Sequence, residues 1–346
     1  MRIAFLIFMA RSGSTLLARH LDAVSTDLLV TPEWNVPVAA MRAGEARLLG
    51  MDADATLRLL RLDRQIANLE LDDETLAAIA RDRAGGSARA LVEALAAAHA
   101  ARRGREPRLV VIKNSAALFV AEQLIETFPE ALFVHVERDG RAVVSSLIHT
   151  ESSYDPGHPM GRGDPVHCAA LWVRYVRTYD AFARRHPERV LPVRYEKFLA
   201  APEATAERLR AALATRMGVE LRPGAGAGRF AVPARERGLH ALVEQAPVAA
   251  RAEGWQRELS PSEGIAVESI ERTELEARGY AAHFLARATP GEVARARALQ
   301  YARHLAITLR HGLRRVAALA RLALTDRARA GSTLRDALFE RFSGRA

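Results

Sequence analysis

The sequence predicts an α/β protein, a parallel sheet with helices on both faces, and three observations carry that expectation. Strand-length apolar runs stand at residues 3–8, 109–112, 131–136 and 190–194, and a strand buried on both faces reads as such a run. Helical patterns at 14–23, 116–127, 140–150 and 165–186 follow them in alternation, the order of β-α-β units. Each apolar run leads into a short polar segment. Right-handed crossovers bring the ends of parallel strands, and those segments with them, to one edge.

The first run, Ile3-Ala4-Phe5-Leu6-Ile7-Phe8, leads through Arg11-Ser12-Gly13-Ser14-Thr15 into a helical stretch, Leu16–Leu21. Small hydroxyl residues and one Gly let the amides of a helix N-terminus converge on an anion. A Walker A loop opens on Gly and places Lys just before the Ser/Thr. Here Phe8 stands at the first glycine's place and Ser14 at the lysine's. The turn is P-loop-like without the P-loop lysine, suited to a nucleotide phosphate met by Arg11, hydroxyls and amides.

A second apolar run, Leu28-Leu29-Val30, precedes Thr31-Pro32-Glu33-Trp34. Residues 36–107, with helical patterns at 54–69, 72–83 and 87–103, make a long excursion expected to form a helical cap over the site. The strand Leu109-Val110-Val111-Ile112 then ends in Lys113-Asn114-Ser115. Of 50 basic residues only Lys113 and Lys197 are lysines. A compact ammonium can follow charge onto a bridging oxygen as a planar guanidinium cannot, which singles out Lys113; Lys197 is expected to be solvated.

The next strand, Ala131-Leu132-Phe133-Val134-His135-Val136, ends in Glu137-Arg138-Asp139-Gly140-Arg141. Arg138 therefore stands at a carboxyl strand end, where ligands of open α/β sheets bind, and Ser146 lies about two helical turns on. Guanidinium and hydroxyl are phosphate donors, so a ligand with two separated phosphates is expected. Val190-Leu191-Pro192-Val193 precedes Arg194-Tyr195-Glu196-Lys197. Residues 222–238, with Gly at every second position from Gly224 to Gly228, read as a mobile loop.

With 346 residues, 49% hydrophobic and 26% charged, the chain has the composition of a globular protein able to bury a large core. Its single cysteine, Cys168, allows no intrachain disulfide, which suits a reducing cytoplasmic compartment. Neither a signal peptide nor a membrane span is read from the sequence. The net charge of +9 is concentrated at 291–346, where 12 Arg face 4 acids. No nucleic acid partner is expected of the near-neutral remainder.

Residues 290–346 are expected to form a basic amphipathic helical tail after a domain spanning 1–285. Leu299, Ala302, Ala306, Leu309, Leu313, Val316, Ala320 and Ala323 alternate three and four apart, with Arg303, Arg310, Arg314 and Arg321 off that seam. A homodimer seam, a contact with an anionic membrane surface, and packing on the chain's own domain all fit this pattern.

Arg11-Ser12-Gly13-Ser14-Thr15 resembles the 5′-phosphosulfate loop of the sulfotransferases that use 3′-phosphoadenylyl sulfate (PAPS), and Arg138 with Ser146 resembles their 3′-phosphate motif. Lys113-Asn114-Ser115, Arg194-Tyr195-Glu196-Lys197-Phe198-Leu199 and Trp255-Gln256-Arg257-Glu258-Leu259 before Gly279-Tyr280 resemble further family segments in order and approximate spacing. The similarity covers roughly the first 280 residues and is nearest to the tyrosylprotein sulfotransferase branch and its bacterial relatives.

That resemblance implies PAPS as co-substrate, adenosine 3′,5′-bisphosphate as product, no metal, and a small-molecule or peptide hydroxyl as acceptor. In-line sulfuryl transfer needs a base for the acceptor proton and cations at the leaving phosphate. Arg11 and Lys113 are the expected cations, with Ser12, Gly13, Ser14 and Thr15 on the 5′-phosphate. Glu33 falls where the tyrosylprotein branch keeps its catalytic glutamate. It reads either as the base or as a loop-fixing ion pair, with His20 and His149 as alternative bases. Tyr195 resembles the family's adenine-packing aromatic. Arg251 and Arg257 near Trp255 are candidates for the 3′-phosphate, although no basic residue directly precedes the Trp as in the family. Two rival readings are a kinase-like nucleotide phosphotransferase of P-loop fold and a non-catalytic nucleotide-binding scaffold.

Overall fold

The computed structural model describes residues 1–152, 157–224, 230, 232–233 and 252–325. The expected 222–238 loop lies largely outside these residues, as do Arg251 and 326–346. Contacts divide the chain into two compact units, Met1–Arg138 with Thr178–Ala249, and Asp139–Arg177 with Ala250–Ala346.

The first unit holds a parallel sheet of five strands, β1 (Arg2–Phe8), β2 (Leu28–Val30), β3 (Leu109–Lys113), β4 (Phe133–Glu137) and β5 (Val190–Arg194), flanked by helices. They lie in the order β2-β3-β1-β4-β5. The register pairs Leu6 with Lys113, Phe8 with Val136 and Glu137 with Arg194, so the carboxyl ends share one edge. Ile3 to Phe8 are at most 3% exposed. Successive strand residues face opposite ways, so both faces of the central strand are covered.

Four strands stand where the apolar runs predict them, and β2 is an addition. Three residues are too short for a periodic signal, and tertiary contacts fix the strand. Asp22 accepts from Val30 N at 2.9 Å and from Arg105 Nη1 at 2.8 Å, and Arg105 also donates to the Leu28 carbonyl. Phe5 stacks on Phe133 at 5.5 Å, and Phe133 meets Phe182 edge-on at 5.0 Å, filling the core beside β1 and β4.

The helices begin with α1 (Ser14–Ala23). The excursion contains α2 (Val36–Ala43), α3 (Glu45–Leu49), α4 (Ala53–Leu62), α5 (Asp73–Asp82) and α6 (Ala88–Arg102). Asp52, Asp72 and Ser87 cap α4, α5 and α6 with side-chain oxygens on the third amide beyond. The expected 54–69 helix stops at Asp63, whose carboxylate turns back onto the amide of Gln65, and a short 3₁₀ turn, Ile66–Leu69, follows. The 116–127 pattern is likewise a 3₁₀ turn followed by α7 (Ala121–Thr127).

Next come α8 (Gly140–His149), α9 (Pro165–Arg185), α10 (Tyr195–Ala200) and α11 (Pro202–Met217), then α12 (Trp255–Glu258), α13 (Pro261–Ala277) and α14 (Pro290–Thr325). The second unit is organised around Arg141 near the start of α8. It pairs Asp139 at 2.7 Å and Glu268 of α13 at 2.6 Å, and lies over the Trp255 ring at 4.0 Å. A capping box between Ser260 and Glu263 starts α13.

A candidate active site along the carboxyl edge of the sheet

The turn between β1 and α1 is strained and tightly packed. Arg11 has φ of 69° and Gly13 of 85°. A non-Gly residue in the left-handed region costs of order ~1–3 kcal/mol and persists where its surroundings enforce it. Here Arg138 Nη1 donates to the Arg11 carbonyl at 2.8 Å, tying the end of β4 to the turn after β1. A Cβ on Gly13 would collide with the Tyr195 ring, so this glycine is set by a close approach as well as by its φ. The start of α1 carries no side-chain cap. Its first amides therefore depend on other acceptors, which suits an anion.

Arg138 lies with its guanidinium 4.6 Å from the centre of the Tyr195 ring. Burial, and next the charge of Arg138, lower the pKa of Arg11 to about 10. A carboxylate partner would move Arg11 the other way. The loop thus concentrates positive charge in a partly dehydrated place, and a phosphate there would relieve both causes. The residues present fit an anionic group such as a phosphate.

On the other side of β1, the end of β3 meets the loop after β2. Lys113 is 3% exposed, with Nζ 4.7 Å from the Phe8 ring centre and 3.8 Å from Glu33 Oε2. Glu33 Oε1 accepts from Ser115 N at 3.1 Å and from Ser115 Oγ at 2.5 Å. Glu33 is therefore held by a Lys and a Ser, and its orientation is fixed whatever else it does. Asn114 Nδ2 donates to the Trp34 carbonyl at 2.5 Å and to Asn35 Oδ1 at 3.1 Å. Trp34 is fully buried and donates from Nε1 to Thr31 Oγ1 at 3.1 Å.

The excursion after β2 reaches this loop directly. Asn68 Nδ2 donates to the Glu33 carbonyl at 2.9 Å, and Asn35 donates from its amide to Asp63 at 2.6 Å and from Nδ2 to Gln65 Oε1 at 2.6 Å. Burial raises the pKa of Asp63 against the hydrogen bonds it accepts. Asn35, Asp63, Gln65 and Asn68 were not singled out from the sequence. The available signal was a polar cluster interrupting the 54–69 helical pattern.

The other sequence candidates have contacts of their own. Ser146 is half-buried on α8 in the second unit. His20 on α1 meets the Phe198 ring edge-on at 5.6 Å and Glu203 at 3.7 Å, and burial lowers its pKa. His149 is exposed at the end of α8, with Nδ1 2.9 Å from the Ser145 carbonyl. Trp255 is buried under Arg141, and Arg257 lies on the same short helix. Lys197 is exposed, as expected. Among the described residues no group of His, Cys, Asp or Glu is arranged to hold a metal ion.

Along the edge, the strand order places Glu33 after β2, Lys113 at the end of β3, Arg11–Thr15 after β1, Arg138 after β4 and Tyr195 after β5. Two curated proteins, both omega-hydroxy-beta-dihydromenaquinone-9 sulfotransferases Stf3, from Mycobacterium bovis and Mycobacterium tuberculosis, are 31% identical to the chain over 112 residues. That match covers 30% of the chain and 28% of each relative's length. The sulfotransferase domain of the Synechococcus PCC 7002 olefin synthase superposes with a TM-score of 0.50 at 16% identity, over 79% of this chain and 94% of that one, a likeness of fold. The family model described as "Sulfotransferase family" matches residues 4–217, more than half of the chain and every strand of the sheet. With that match the chain belongs to the sulfotransferase family.

Proposed function

We propose that the chain transfers a sulfuryl group from PAPS to an acceptor hydroxyl, and that residues 1–285, with 36–107 as cap, form the transferase domain. The strand order carries this reading. Parallel strands lie roughly 5 Å apart, so the five carboxyl ends span roughly 20 Å. Along that span stand in turn a carboxylate, an ammonium, an anion-binding turn, a guanidinium and an aromatic ring. This order suits an acceptor at the β2 and β3 end and an elongated two-phosphate nucleotide toward β4 and β5.

The residues that would hold the donor are Arg11, Ser12, Gly13, Ser14 and Thr15 on the 5′-phosphate side, Arg138 and Ser146 on the 3′-phosphate, and Tyr195 beside the adenine. When bound, the donor supplies the sulfuryl group: the acceptor oxygen forms a bond to sulfur as the bond from sulfur to the 5′-phosphate oxygen breaks. Glu33 takes the acceptor proton. Ser115 occupies Oε1 through two hydrogen bonds, which leaves Oε2 as the oxygen for that proton. Lys113 stands between the carboxylate and the β1 turn in strand order, placed to meet charge developing on the leaving oxygen.

The acceptor class is a hydroxyl of a small molecule or peptide. The named acceptor of the two mycobacterial relatives carries an omega-hydroxyl, which supports the first, and the likeness to the tyrosylprotein branch supports the second. A cytoplasmic location rests on the single buried cysteine; among the described residues no helix is long and apolar enough to cross a membrane. The tail is proposed to mediate contact with another surface.

Calorimetric titration with adenosine 3′,5′-bisphosphate, against ATP with Mg²⁺, tests the donor site. Binding of the bisphosphate with little of ATP is the expected result, followed by transfer of label from PAPS to an alcohol. Preference for ATP overturns the reading in favour of a phosphotransferase, and bisphosphate binding without transfer to any hydroxyl favours a scaffold.

A further inference from the structure

The long helix α14 has two faces of opposite character. Residues 296, 300, 304, 307 and 311 advance by three or four and are buried or half-buried. Along this face Gln300 Nε2 donates to Ser262 Oγ at 3.0 Å, and His304 Nδ1 lies 2.6 Å from Asp164 Oδ2. At its border Arg303 Nη1 donates to Glu263 Oε1 at 2.9 Å. That face is seated against α13 and the segment before α9.

The opposite face is apolar and open. Tyr301, Leu305, Leu309, Leu313 and Val316 also recur every three or four residues and are 45%, 58%, 58%, 71% and 65% exposed. Single exposed apolar side chains are ordinary, but a continuous row on one helix face marks a contact surface. Arg297 and Arg310, both exposed, fall beside the row, one on each side, at about 100° per residue. Between Val293 and Thr325 there are seven Arg and no Asp or Glu.

We propose that this outer face of α14 docks flat on an anionic lipid bilayer. An apolar stripe edged by arginines buries its leucines at the acyl boundary while the guanidinium groups stay among anionic headgroups. Charge decides against the other occupants. In a second copy seated on the same stripe, arginine would face arginine with no acidic residue between Val293 and Thr325 to pair it. A nucleic acid would leave the leucines in water. Among the described residues no helix can cross a membrane, so the contact is peripheral.

Co-sedimentation of the full chain with vesicles of phosphatidylcholine alone, and of an equal mixture with phosphatidylglycerol, tests the proposal. About tenfold or greater preference for the anionic vesicles, weakening with added salt, is expected. The combined variant Leu305→Ser, Leu309→Ser, Leu313→Ser is expected to lose about tenfold in vesicle binding with an unchanged unfolding midpoint. Should that variant fold poorly, Arg297→Gln with Arg310→Gln is expected to lose the anionic preference. Absence of vesicle binding overturns the proposal, whether the chain is then monomeric or a concentration-dependent dimer by sedimentation velocity, as does equal binding by parent and variants.

Discussion

Lys113 is a buried ammonium with an aromatic ring on one side and a carboxylate on the other. Burying a charge is costly unless it is paired, and the ring and the carboxylate offset part of that cost. Glu33→Gln keeps the shape and the Ser115 contact but removes the proton acceptor. It is expected to lower turnover about a hundredfold or more while bisphosphate affinity stays within error, read by steady-state kinetics and calorimetry. Unchanged turnover would move the base elsewhere. Arg138→Ala removes the donor to the Arg11 carbonyl and a charge beside Tyr195. A loss of about 1.5–3 kcal/mol in bisphosphate affinity is expected. Retained affinity would remove Arg138 from the phosphate site. Glu33 and Lys113 were legible as separate signals, one from a family likeness and one from rare lysine usage. That they share a contact was not, because some eighty residues separate them.

At the scale of elements, the strand, turn and helix at the start of the chain form one mechanical piece with α10. Gly13 is required twice, by φ of 85° and by the Tyr195 ring over it. Gly13→Ala is expected to destabilise the chain by about 1–3 kcal/mol in urea unfolding, from left-handed strain and overpacking together, and to weaken bisphosphate binding. Wild-type stability in that variant would mean that Tyr195 moves freely off the turn. The β2 strand and the Glu33 loop are the contrasting case. They are held by Asp22, Arg105, Asp63 and Asn68 from elsewhere in the chain. No local pattern announces them.

At the scale of the whole molecule, stability against pH depends on a carboxyl group buried in the second unit. Glu271 is fully buried in α13 near Gly140, with Asp139, Arg141 and Glu268 around it, and neither carboxyl oxygen has a hydrogen-bond partner among the described residues. Burial first, and Asp139 next, raise its pKa well above 4.5. The folded chain therefore keeps a proton that the unfolded chain gives up. The resulting stabilisation is complete below about pH 4.5 and is lost as pH rises through the raised value. Glu271→Gln keeps the neutral shape without the titration. It is expected to exceed the parent in stability in mildly alkaline solution and to match it in acid, measured by denaturant unfolding across pH. A parent and variant with parallel pH profiles would show that Glu271 does not titrate in the folded state.

By itself the sequence determined what depends on neighbours along the chain. Apolar runs of strand length set four strands, small residues at a strand end set the anion-binding turn, and alternation with helices set a parallel sheet. Only the tertiary structure decided what depends on packing. It placed β1 between β3 and β4, seated Tyr195 on Gly13, brought Lys113 to Glu33, and left one face of α14 without a partner among the described residues. The division has a physical cause: backbone preference and hydrophobic period act over a few residues, whereas strand order and side-chain contact are fixed only when distant segments compete to bury the same surface.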